Sequence, residues 1–160
     1  MSDEPAGAPD LDPSAHGRLG VDLYNRAWTL LAMEDRTPGQ TDELIHLAHA
    51  SRFHWSLAEG TRPENLARGE WLCSRVYAVL GRAEPAVWHA RRCLEICEVA
   101  GIGDWDVAAA REAMARALLA GGDRTAARDW GAKAREAAAA IVEDDDREPI
   151  VQDLDALGLG

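Results

Sequence analysis

The sequence predicts an all-α fold, and three observations predict it. Ala is abundant while Phe, Tyr and the β-branched residues are sparse, a composition that favours helix over sheet. Proline opens two segments, in Thr37-Pro38-Gly39-Gln40 and Thr61-Arg62-Pro63-Glu64, where a first helical turn tolerates its missing N–H and a capping box can form. Apolar residues recur at three- and four-residue spacing, as in Leu23, Ala27, Leu30 and Leu31, so each segment has one stripe to bury.

Taken in order, residues 1–17 are too polar and Pro-rich to pack and read as a disordered tail, leaving one helical domain over 18–160. A first helix is predicted from about Arg18 to Met33. The second follows Thr37 with a core stripe of Leu44, Leu47, Ala48, Ser51 and Trp55, and Gly60 ends it. The third runs to Leu80, Gly81 provides a turn, and Glu84-Pro85 opens a fourth that continues to about Val99. The segment AGIGDWD breaks it and offers Asp104 as N-cap of a fifth helix ending near Ala120. Gly121-Gly122-Asp123 is the next turn, before a sixth helix to about Val142. The acidic loop EDDDRE and Pro149 precede a short last helix with Ile150, Leu154 and Leu157 on one side. Three short-looped hairpins with a cap imply a helical solenoid or a compact bundle.

Around Gly81 small Ser74, Tyr77, Ala86, Ala90, Cys93 and Leu94 fall at fixed offsets, and Met114, Ala115, Asp123, Ala127 and Ala134 repeat the plan around Gly122. The spacing resembles that of the tetratricopeptide repeat (TPR) family, in which small residues let two helices approach and a glycine permits the turn. The resemblance implies a stack of three antiparallel helix hairpins, an α-α superhelix, closed by a short C-terminal capping helix. It also implies a groove lined by the first helix of each hairpin. The groove positions fall on Arg68, Trp71, Arg75 and Ala78, and on Ala109, Glu112, Arg116 and Leu119.

Charge and cysteine usage narrow the function. A formal net charge of −11 repels a phosphate backbone, and no basic cluster offsets it, which excludes nucleic acid as the expected partner. The N-terminal stretch lacks the basic start and apolar run of a signal peptide, and no stretch approaches the roughly 18 apolar residues of a membrane span. Cys73, Cys93 and Cys97 are odd in number and too few for a disulfide framework, which suggests a reducing compartment. The expectation is a soluble cytoplasmic protein.

Arg68, Trp71 and Arg75 are spaced i, i+3, i+7 and share a helix face. Two guanidiniums flanking an indole can grip a carboxylate or phosphate while the ring supplies stacking contact. With Glu112 and Arg116 from the facing helix, they form the expected binding groove of a scaffold module. Its partner would be an acidic peptide segment or a small acidic ligand, and no cofactor is required. Alternatively Arg68 and Arg75 pair with Glu64, Glu70 or Glu112 and hold neighbouring helices together.

A second reading is a small helical enzyme or metal-binding protein. His46, His49 and His54 share one helix and His89 lies on another. On a wheel His54 stands about 80° and 140° from the other two, so one helix cannot bring all three to an ion. A divalent metal would need His49, His54 and His89, or Glu112, gathered from several helices. His89, Cys93 and Cys97 form a further stripe able to hold zinc or copper(I), although a buried core role also accounts for the cysteines. For catalysis, Asp104, Asp106 and Glu112 could act with an imidazole, but no phosphate loop, HExxH or nucleophile elbow is present.

Overall fold

The computed structural model describes residues 11–159, which form seven α-helices and no strand. These are α1 (Pro13–Leu31), α2 (Pro38–Leu57), α3 (Pro63–Val79), α4 (Ala83–Ala100), α5 (Asp104–Ala120), α6 (Arg124–Ala139) and α7 (Asp144–Ala156). The all-α expectation holds. No helix is long and apolar enough to cross a membrane.

Capping explains most of the boundaries. Thr37 and Gln40 form the expected capping box, with Thr37 Oγ1 accepting from the Gln40 N–H at 3.2 Å and Gln40 Oε1 from the Thr37 N–H at 2.9 Å. At α3 the arrangement differs from expectation. Asn65 Oδ1 accepts the Arg62 N–H, while Thr61 closes α2 by donating to the Trp55 and Ala58 carbonyls. Gly81, at φ +70°, supplies the left-handed turn between α3 and α4 that a side chain would strain.

Two boundaries depart from the sequence reading. Helix α1 begins at Pro13, not near Arg18, because Asp12 caps it by accepting the Ser14 N–H at 2.9 Å and Pro13 occupies the first turn. Residues 13–17, expected in the tail, are therefore helical, and residues 1–10 of that tail lie outside the described residues. The acidic run before α7 is not a loop. Asp144, Asp145 and Asp146 make its first turn, where carboxylates complement the helix dipole, and Pro149 sits inside the helix.

Helices pack most closely as the successive pairs α1·α2, α3·α4 and α5·α6, and α3 also touches α1 and α5. One core joins α1, α2 and α3 through Leu30, Leu44, Leu47, Leu72 and Val76. A larger one continues through α3 to α7, where Ile150 and Leu154 bury themselves beside Ile141. The α3–α4 pair closes through small residues as anticipated. Ala86 and Ala90 are fully buried, and Ser74 Oγ donates to the Ala86 carbonyl at 2.8 Å.

Candidate functional site

Helix periodicity places Arg68, Trp71 and Arg75 on one side of α3, between α1 and α5. Trp71 is the middle of an aromatic row that runs from Tyr24 and Trp28 to Trp105, with ring centroids 5.2 Å and 5.3 Å from Trp71 to its two tryptophan neighbours. The Arg75 guanidinium lies 5.3 Å from the Trp71 centroid and 5.7 Å from that of Trp28. Cation–π geometry thus brings the expected side chains together.

Their charges, however, are met from within the chain. Arg68 binds Asp106 bidentately, Nε to Oδ1 at 2.7 Å and Nη2 to Oδ2 at 2.9 Å, and lies over the Trp105 ring. Arg75 binds Asp153 of α7 and stands 3.7 Å from Glu112. Arg116 donates through Nε to Glu112 Oε1 at 2.7 Å and stands 3.4 Å from Asp153. Glu112 is fully buried, and that burial raises its carboxyl above the usual range despite Arg116 and Arg75. Trp71 Nε1, Arg75 Nε and Glu112 Oε2 are buried without a hydrogen-bond partner. The arrangement follows the interhelical alternative, with Asp106 and Asp153 as partners in place of Glu64 and Glu70.

The same face opens at its other end. A cavity of about 390 Å³ is lined by Tyr24, Arg68, Asp104, Trp105, Asp106 and Asp146. A smaller one of about 200 Å³ adjoins it along Val21, Tyr24, Trp55, Asn65 and Arg68. Three carboxylates there face a single guanidinium, which is already paired. Asp104 is also the one non-glycine residue at positive φ, +55°, among the described residues. The helix starts without a side-chain cap, so the expected capping role of Asp104 is not realised and its carboxylate is left for the cavity.

Four of the five histidines divide between two places. His49, Cys73 and His89, from α2, α3 and α4, bring one ring nitrogen each and the Cys73 Sγ within 4.8 Å of one another. His89 Nδ1 lies 2.7 Å from Glu70 Oε2, and Arg52 Nε donates to Glu70 Oε1 at 2.9 Å. His49 Nε2 lies 2.9 Å from the Tyr77 hydroxyl, whose ring stacks on His89. Close approach of α2 to α3 makes this possible, since Arg52 passes over Gly69, where a Cβ would lie 2.6 Å from its Cδ. Burial, then the neighbouring His89, lowers the His49 pKa and keeps the imidazole neutral. Burial, then Glu70, pushes the Cys73 thiol up to about 12.

His54 is not in this group. It pairs with His16 at 2.8 Å between their Nδ1 atoms, because its place on the α2 wheel turns it toward α1. Glu112 is likewise engaged on the α1–α3–α5 face. Cys93 and Cys97 are buried in the core and contact one another, and the only group of three metal-ligating side chains among the described residues is His49, Cys73 and His89. Sequence reasoning gives Cys73 a buried core role with the other cysteines and so misses it as a member. Cys73 is fully buried, and that burial, with Glu70, favours the thiol over the thiolate that nucleophilic chemistry requires.

Compared with known proteins, the chain matches no family model, no curated protein and no solved structure.

Proposed function

We propose that this chain is a TPR-like binding module and that the face formed by α1, α3 and α5 is the inner surface of its helical stack. The pairwise packing of successive helices supports this, as does the position of α3 between α1 and α5. In this reading α7 is the short closing helix of the stack, and it runs along the face, with Asp153 neutralising Arg75 and Arg116 at one end and Asp146 bordering the cavity at the other.

The open end sets the ligand chemistry. The cavity between Tyr24 and Trp105 carries the observation on which the proposal rests: aromatic walls bounded by Asp104, Asp106 and Asp146 against the already paired Arg68. A basic or amine-bearing peptide segment fits it, with its apolar stem on the rings and its charge at the carboxylates. The net charge of −11 favours encounter with such a partner. The acidic ligand expected from the groove arginines would instead have to displace Asp153.

Fluorescence anisotropy with labelled Arg/Lys-rich and Asp/Glu-rich peptides of equal length tests the proposal. The basic peptide is expected to bind in a salt-sensitive manner and to lose binding in the Asp104→Asn, Asp146→Asn double variant. Preference for the acidic peptide, strengthened by Asp153→Asn, would move the site to Arg75 and Arg116 and reverse the sign of the ligand.

A further inference from the structure

The partly buried polar cluster between α2, α3 and α4 stands apart from the peptide-binding face, and its residue types have a chemistry of their own. We propose that His49, Cys73 and His89 form a binding site for a single zinc ion. Two imidazoles and a thiolate are a donor set that zinc accepts, leaving a fourth position open. Three helices supply the ligands, so the site does not depend on one helix wheel. Tetrahedral zinc at these donors requires ligand-to-ligand separations of roughly 3.3–3.8 Å. The three atoms already lie within 4.8 Å, so small side-chain rotations close the set.

The surroundings carry the argument beyond proximity. Glu70 accepts from His89 Nδ1–H, which leaves Nε2 as the lone pair offered to a metal. Arg52 holds Glu70 in turn, so the orientation of His89 is built from two further buried or half-buried side chains. A carboxylate behind a histidine fixes the tautomer of a ligand and raises its basicity. The buried Cys73 thiol must release its proton when zinc binds, and the cation replaces that proton as the charge that stabilises sulfur. The Tyr77 hydroxyl lies 2.9 Å from His49 Nε2 and its ring stacks on His89, so one side chain orients both imidazoles.

The test uses the full chain, stripped with a chelator and titrated with Co²⁺ as a spectroscopic substitute for Zn²⁺. One equivalent is expected to bind and to give a near-ultraviolet thiolate-to-cobalt charge-transfer band, which Zn²⁺ then abolishes by displacement. Cys73→Ser should remove the band, and His49→Ala and His89→Ala should weaken binding by at least 100-fold. Glu70→Gln should weaken it by roughly 10–100-fold. His46→Ala and His54→Ala should leave it unchanged. Circular dichroism of each variant separates loss of ligand from loss of fold, and the partly exposed His49 gives a variant that spares the core. A folded wild-type protein that takes up no Co²⁺ or Zn²⁺ at micromolar concentration would overturn the proposal. So would binding that survives both histidine substitutions, or binding of Cu⁺ alone.

Discussion

Arg68 and Asp106 join α3 to α5 through two parallel hydrogen bonds, and the two partners differ sharply in exposure. The Arg68 side chain is 45% exposed, while that of Asp106 is 10% exposed. The pair therefore spends the charge of the arginine on a carboxylate that could not otherwise remain in place. It also sets the sign of the adjoining cavity, because the one guanidinium there brings no free positive charge.

The asymmetry gives an ordered prediction for stability. Arg68→Ala strands a nearly buried carboxylate and should cost about 1–3 kcal/mol. Asp106→Asn leaves a half-exposed guanidinium that water can solvate, and should cost less than about 1 kcal/mol. Urea unfolding of the two variants checks the order. Equal losses would mean that the pair contributes through packing alone.

Glu112 provides a second contrast. It is fully buried between Arg116 and Arg75, so Glu112→Ala leaves two mostly buried guanidiniums with only the partly exposed Asp153 to share. A loss of about 3–5 kcal/mol is expected, as for other buried pairs broken on one side. Glu112→Gln keeps an oxygen for Arg116 Nε and removes a charge that burial already disfavours, and should cost less than half as much. Thermal or urea denaturation distinguishes them, and a glutamine variant as unstable as the alanine one would show that the ionised form is required.

Much of the fold was legible because local chemistry determined it. The Thr37–Gln40 box, the turn at Gly81 and the small faces of Ser74, Ala86 and Ala90 each act over a few residues. Their effect is visible without knowing what lies across the core. The starts of α1 and α7 were misread where a proline had two meanings. Pro13 follows a capping aspartate yet stands in a polar tail, and Pro149 resembles the prolines that open helices although the acidic turn before it already forms helix.

The site was less legible, for a geometric reason. That Arg68, Trp71 and Arg75 share a face follows from 3.6 residues per turn. That Asp153 meets Arg75 depends on the register of a helix 78 positions away, which no local pattern encodes. Cys73 joined His49 and His89 for the same reason, since three helices had to be placed before any distance between them existed. Its small size and apolar neighbours pointed only to burial, which is also true.

Acid should destabilise the protein in two stages. His49 has a folded pKa below its ordinary 6.5, mainly through burial and then through His89, so its neutral form belongs to the folded state. Its contribution is complete above about pH 6.5 and is lost as pH falls through the lowered value. Glu70 is also held below its ordinary 4.5, because His89 and Arg52 outweigh the effect of burial. Its contribution is present above about pH 4.5 and disappears as pH falls through its own lowered value. Burial raises the Glu112 carboxyl, and its protonation opposes these losses at acid pH, so the His49 stage is read by comparison of urea midpoints, in which His49→Gln should flatten the loss just below pH 6.5. A slope unchanged by that substitution would exclude His49 as its source.

Asp104 links stability to the proposed binding face through its backbone. At φ +55° it adopts a conformation that glycine accepts freely, that Asn and Asp tolerate, and that alanine resists by about 1 kcal/mol. Its side chain forms no cap to offset the strain. The expected order of stability is therefore Gly at or above the wild type, Asn near it, and Ala about 1 kcal/mol below. Binding of a basic peptide should follow a different order. All three substitutions remove the carboxylate from the cavity and should weaken binding to a similar extent, whatever they do to the fold. Thermal unfolding and peptide anisotropy on the same three variants separate the two effects. If affinity instead tracks stability across the series, the carboxylate has no direct part in recognition and Asp104 serves only the start of α5.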